Sequence, residues 1–330
     1  MVDIALSEDL VVQTRVAALR RFGRSDARFR MITLAAALLV VAIFIGLMIA
    51  LLQGAWPALH AFGFGFLTTS VWNPVTEKFG AFAAIYGTLV SSAFAMLIAV
   101  PLGIGIAIFL TELCPRALKR PIGIAIELLA GIPSIIYGIW GLFIFAPYFQ
   151  QHIQPDLIAT FENVPVLQDL LAGPPYGIGL FTASLILSIM ILPFISAVTR
   201  DVFETVPPML KEAAYGIGCT TWEVMWRIVL PFARSGVVGG AMLALGRALG
   251  ETMAVTFVIG NAHRISESIF APATTISATI ANEFTEALGD LYVSSLIAIG
   301  LILFGITFLV LAAAQLMLRS LERRSGGKSL

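Results

Sequence analysis

The chain has 330 residues, 58% of them hydrophobic and only 12% charged, with a formal net charge of zero. A soluble globular domain carries roughly 25% charged residues, so an ordinary water-soluble enzyme or binding module is excluded. Most of the apolar surface must face lipid or other helices, and the three histidines, His60, His152 and His263, are too scattered for a metal site.

Residues 1–30 are polar and carry six arginines. Ser7, Glu8 and Asp9 read as a helix start with acids in the first turn. Leu10, Val11, Thr14, Ala18 and Phe22 form either a face lying on lipid headgroups or one side of a solvated cytoplasmic helix. The apolar run that follows begins too late and is too long for a cleaved signal peptide.

Six spans are predicted, at 31–53, 84–110, 121–146, 177–199, 235–260 and 291–318. Each exceeds the roughly 20 residues that cross a bilayer core. Pro101 predicts a kink in the second, and Gly131 with Pro133 a break in the third. The segments 1–30, 115–120, 200–234 and 319–330 hold seventeen of the twenty lysines and arginines, whereas the opposite side holds only Lys78 and Arg264. The positive-inside rule therefore predicts both termini in the cytoplasm. Cys114 and Cys219 fall on that same reducing side, so no disulfide framework is indicated. The expected organisation is a cytoplasmic segment 1–30, one all-α membrane domain 31–318 and a cytoplasmic tail 319–330.

The outer segments carry apolar features of their own. Trp56, Phe62, Phe64, Phe66 and Trp72 suit a membrane interface. Ile276, Ile280 and Phe284 recur at i, i+4 and i+8, which predicts an amphipathic helix. Such surfaces either receive a soluble partner or plug the outer mouth.

The long polar connection at 205–231 is the most specific stretch. Pro207 and Pro208 start a first helix, and Gly216 and Gly218 end it, since glycine turns left-handed without strain. Thr220 with Glu223 is a capping box that starts a second helix. Trp222, Met225, Ile228 and Val229 give that helix an apolar stripe, and Pro231 is expected to end it.

The spacing from Glu212, Ala213 and Ala214 to Gly218, and on to Ile228, Leu230 and Pro231, resembles the EAA loop of the permeases of binding-protein-dependent ABC importers. The resemblance implies a type I ABC importer permease fold, with these seven residues docking a cytoplasmic ATPase. The stretches FGAFAAIYGTLV from Phe79, IELLAGIPSIIYGIWGL from Ile126 and RALGETMAV from Arg247 extend it over most of the chain. Together they are similar to the PstC family, one of the two permease subunits of the phosphate-specific ABC importer. The companion PstA family typically has Ala-Pro-Leu where this chain has Met253, Ala254 and Val255. Cys219, where alanine is usual, and Thr221, often basic, depart from the pattern.

Membership would imply transport of inorganic phosphate across a bacterial cytoplasmic membrane. It would also imply a PstA-like partner permease, two PstB-like ATPases and an extracytoplasmic PstS-like binding protein. The chain would bind no cofactor, with ATP used by the separate ATPase. Consistently, Gly326–Ser329 (GGKS) is not a P-loop, because the required first glycine falls at Glu322. No HExxH occurs and the GxGD pattern fails at Ala287, so no catalytic residues are assigned. The rivals are a permease for sulfate, molybdate or another oxyanion, an ion-coupled secondary transporter, and a phosphate-signalling membrane subunit.

Three charges fall inside predicted spans. Arg247 lies about 12 residues into the fifth, roughly 18 Å along a helix axis and hence near mid-membrane. Glu251 is expected one turn further on the same face, and Glu127 sits early in the third span. Intramembrane charges commonly mark substrate paths. The alternatives are an Arg247–Glu251 structural ion pair and, for Glu127, a partner among the loop cations. Gly236 with Gly240, and Gly246 with Gly250, let another backbone approach closely. That backbone belongs either to another subunit or to the chain's own core.

Overall fold

The computed structural model describes residues 2–165 and 167–325, with side chains described for 26, 28–165 and 167–319. The N-terminal face at Leu10 to Phe22 and the Gly326–Ser329 stretch lie outside the described side chains. Contacts divide the chain into two units, residues 1–54 and 55–330. The first unit is helical, and its described side chains from Phe29 to Leu52 are almost all exposed.

Nine helices organise the described residues: α1 Val2–Phe62, α2 Phe82–Leu113, α3 Arg116–Ala130, α4 Ser134–Phe161, α5 Leu180–Glu204, α6 Pro208–Gly216, α7 Thr221–Leu249, α8 Ile276–Glu283 and α9 Asp290–Ser325. Among the described residues there is no strand, only an isolated bridge between Asn73 and Lys78. Five segments are long and apolar enough to span a membrane: Arg28–Phe62 of α1, then α2, α5, α7, and Asp290–Arg319 of α9.

The expected third span differs most. α3 and α4 qualify together as a sixth crossing, but they meet at 88°. The break expected at Gly131 and Pro133 is present, and it is a sharp corner. Pro133 disfavours helical backbone at the residue before it, and the Tyr137 hydroxyl donates to the Leu129 carbonyl at 2.8 Å. That bond adds a side-chain donor to a carbonyl at the end of α3 that also accepts from the Ile132 N–H at 3.3 Å.

The centre of the second unit is α5, which is long, apolar and flanked on several sides. Ile186, Leu187, Ile191 and Ile195 are at most 1% exposed. Ala95 and Ala99 of α2 and Ala244 and Ala248 of α7 share that core with Tyr137 and Val258. Small residues on the neighbouring helices permit close backbone approach. The glycines of α7 show which backbones approach. A Cβ at Gly236 or Gly240 would meet Val202 or Val198 of α5, and one at Gly246 would meet Leu311 of α9. These three glycines therefore serve packing within the chain, while Gly250 faces only its own backbone.

The aromatic stretch 56–72, which begins in the last turns of α1, is more buried than an interfacial belt would be. Phe66 is fully buried, and Phe62 and Trp72 pack into a second core with Phe79, Tyr292 and Leu296. Trp56 and Phe64 alone of the five predicted aromatics are largely exposed, at 66% and 90%. The predicted amphipathic helix is α8. Ile276 and Ile280 join the same core and Phe284 stays outside.

One carboxylate ties this end of the bundle together. Glu283, at the end of α8, accepts from Trp72 Nε1 at 2.5 Å and from the Tyr292 hydroxyl at 2.8 Å. Its other oxygen lies 2.7 Å from His263 Nε2, and the His263 ring stacks on Trp72 at 5.4 Å. Burial pushes the Glu283 carboxyl up, but hydrogen bonds from His263 and Tyr292 outweigh it and hold it below the ordinary 4.5. A depressed carboxyl stabilises the fold above its ordinary value and loses that contribution as pH falls through the native one. Glu283→Gln should lower stability by about 2 kcal/mol, since it removes a charged acceptor from three donors. Thermal unfolding in detergent at neutral pH measures this. The difference from wild type should shrink as pH falls below 4.5 and through the lower native value.

Candidate coupling knob and path residues

The turn between α6 and α7 is built by local rules. Gly218 has φ +90, the left-handed region that favours glycine. Its N–H donates to Tyr215 O at 3.0 Å, and Cys219 N–H donates to Ala214 O at 3.1 Å. This pair of bonds is a Schellman motif, which closes the C-terminus of α6. Ala214 and Cys219 also pack in one apolar cluster. The N-terminus of α7 is capped reciprocally: Glu223 N–H donates to Thr220 Oγ1, and Thr220 N–H donates to Glu223 Oε2.

The second half differs from expectation. Pro231 does not end the helix. A π-helical turn over Met225–Val229 precedes it, and the chain continues as helix to Leu249. Widening the turn makes room for a residue that lacks an N–H and crowds the preceding turn. The α6–α7 knob is thus the rigid root of a membrane-length helix.

The knob stands on a core of its own. Val224, Met225, Val229 and Ala233 of α7 pack with Ala214, with Phe203 and Val206 at the end of α5, and with Ala107 of α2. Lys211 pairs with Glu112 at 2.5 Å, and both side chains are largely buried. This tie binds α6 to the end of α2, and the sequence reading missed it. An acid at the end of a span and a base just before the Glu-Ala-Ala stretch were the available signals.

The outward surface is bare. Glu212, Ala213, Gly218 and Pro231 are exposed, Ile228 and Leu230 are half-buried, and Ala214 is buried. Met209 is 78% exposed, Ile217 84% and Trp222 67%. Three large exposed apolar side chains, together with a Glu212 carboxylate that has no ion pair among the described residues, make a surface suited to a protein partner.

The three charges predicted for a path stand apart. Arg247 lies in the last turn of α7, not in mid-helix, and is exposed. A cation there is favoured by the helix dipole. Glu251 is not on its helix face, because α7 ends at Leu249 and Gly250 caps it. Glu251 instead accepts from Ala254 N–H at 3.3 Å and so caps the short turn Met253–Thr256. Among the described residues no ion pair joins Arg247 to Glu251. Glu127 is held at 2.7 Å by Arg200, which lies near the end of α5 rather than in a loop. Arg200 also reaches Asp201 at 3.1 Å.

Comparison with known proteins gives a consistent answer. Residues 99–324 match the family described as binding-protein-dependent transport system inner membrane component. A phosphate transport system permease protein PstC of Mesorhizobium japonicum is 68% identical over 316 residues, covering 96% of this chain and 97% of that protein. One of Pasteurella multocida is 58% identical, covering 91% and 93%. The fold is also that of a chain in the crystal structure of a bacterial alginate ABC transporter. The TM-score is 0.60 at 19% identity, covering 93% of this chain and 99% of that one. The chain belongs to the inner-membrane components of binding-protein-dependent transport systems and, within them, to the PstC phosphate permeases.

Proposed function

We propose that this chain is one of two membrane subunits of an ATP-driven importer that carries inorganic phosphate into the cytoplasm. What carries the reading is end-to-end similarity to phosphate permeases, combined with a rigid, apolar-faced knob at the root of α7. A PstA-like permease would complete the path, and a PstS-like protein would deliver phosphate from outside. Two PstB-like ATPases would hydrolyse ATP and drive the knobs. The chain itself is not an enzyme. Its six crossings would count α3 and α4 as one bent span, with 1–30, the 205–231 loop and 319–330 in the cytoplasm. Glu212, Ala213, Ala214, Gly218, Ile228, Leu230 and Pro231 would form the ATPase dock. Arg247 would offer a planar, charged surface suited to phosphate in passage. Glu251 and Glu127 would shape that path indirectly, through the caps and pairs they make.

The direct test is uptake of labelled phosphate by proteoliposomes holding the complex, with ATP inside. Uptake should be competed by unlabelled phosphate and not by sulfate or molybdate. Competition by those oxyanions at equal concentration would overturn the substrate assignment. Sidedness has its own test in intact spheroplasts, with Cys114 and Cys219 replaced. A cysteine at Gln150 should react with a membrane-impermeant thiol reagent from outside, and one at Ser325 only after lysis. The reverse pattern would move the knob out of the cytoplasm.

A further inference from the structure

A second cation-rich site lies away from Arg247. A cleft of about 300 Å³ opens between α3 and the end of α5, lined by Arg116, Lys119, Arg120, Arg200, Glu127 and Glu204. Two of the four cations are already answered: Arg200 pairs with Glu127 at 2.7 Å, and Lys119 with Glu204 at 3.2 Å. Arg116 and Arg120 have no ion pair among the described residues, and both are exposed. They are one turn apart on α3, where like charges repel each other. Both also sit at the start of the helix, where the dipole disfavours cations. Helix stability therefore does not explain them, and an anion between them would offset both penalties.

The surroundings define the anion. Two guanidinium forks facing one cleft suit the oxygens of a phosphoryl group. Along the same i, i+4 row of α3, Ile124 and Leu128 continue from the arginines and are 48% and 69% exposed, an apolar strip in line with them. The cleft is at the same end of the bundle as the Glu112–Lys211 tie, since Arg116 follows α2 directly.

We propose that Arg116 and Arg120, with Arg200 and Lys119 at the wall, form a phosphoryl-binding site at the rim of the membrane domain. The group is either the headgroup of an anionic phospholipid or free phosphate. The proposal rests on the transport reading only for its sidedness.

The test uses the purified full-length chain in nonionic detergent. Retained phosphatidylglycerol and phosphatidylcholine are read by native mass spectrometry, and inorganic phosphate by equilibrium dialysis. Arg116→Gln with Arg120→Gln should weaken retention of the bound phosphoryl compound by about tenfold or more. Arg264→Gln, a cation elsewhere, should change nothing. Loss confined to phosphatidylglycerol assigns the site to lipid, and loss confined to phosphate assigns it to the free ion. The proposal is overturned if the double variant holds both anions as wild type does. It is equally overturned if wild type binds neither anion, or if phosphate binding is lost only in Arg247→Gln. An uptake defect in Arg247→Gln with an intact rim site leaves the two readings separate.

Discussion

Gly218→Val should abolish phosphate uptake while leaving the protein inserted and its transmembrane core folded. A Cβ at Gly218 would meet nothing within 4 Å, so no clash is involved. The cost lies in the backbone: φ is +90, and a left-handed conformation costs an L-residue roughly 1–2 kcal/mol. A β-branched side chain adds to that cost. The strain is relieved by giving up the Schellman bonds from Gly218 and Cys219, which lets α6 fray and rotate away from α7. The Lys211–Glu112 tie and the apolar seat under Ala214 remain, so the loss is one of geometry at the exposed face. Gly218→Ala should show the same direction with a smaller loss. Co-purification of the ATPase and uptake per assembled complex are the readouts. A Gly218→Val protein that keeps full ATPase binding and uptake would sink the knob as a coupling element.

That such a prediction is available from sequence follows from the locality of the rules involved. A capping box, a glycine at a helix end and a run of apolar residues act over a few positions, and the structure has all three at Thr220, Gly218 and the long helices. Features set by pairs distant in sequence were not legible. Glu283 meets Trp72 across 211 positions, and Lys211 meets Glu112 across 99. Neither partner signals the other. Pro231 misled for a different reason: the rule that proline ends a helix assumes regular α geometry, and the π turn at Met225–Val229 suspends it. The far end of α7 differs separately, because Gly250 caps the helix where the expected span ran on to 260. The helix begins at Thr221 and ends at Leu249, so Arg247 shifts from the middle of a span to its last turn. Glu251 then falls outside the helix. The right angle at Gly131–Pro133 was visible as a break but not as a direction, because Gly and Pro fix where a helix stops rather than where the next one points.

Arg247→Gln should cut phosphate uptake by about tenfold or more, the scale of losing charge-assisted hydrogen bonds to an anion. The amount of assembled complex should be unchanged. The residue is exposed at a helix C-terminus and makes no ion pair among the described residues. Removing its charge therefore strands no buried partner. Arg247→Lys should keep the charge and the dipole interaction but lose the planar fork, giving partial uptake at most. Glu251 decides between this account and a structural one. Were the two residues a tie holding helices together, Arg247→Gln with Glu251→Gln should restore what the single change removed. Here Glu251 accepts from Ala254 N–H, and a glutamine carbonyl can take over that bond. The double variant should thus remain as poor in uptake as Arg247→Gln alone. Uptake per assembled complex for the three variants is the measurement, and recovery in the double variant would replace the conduit with a buried ion pair.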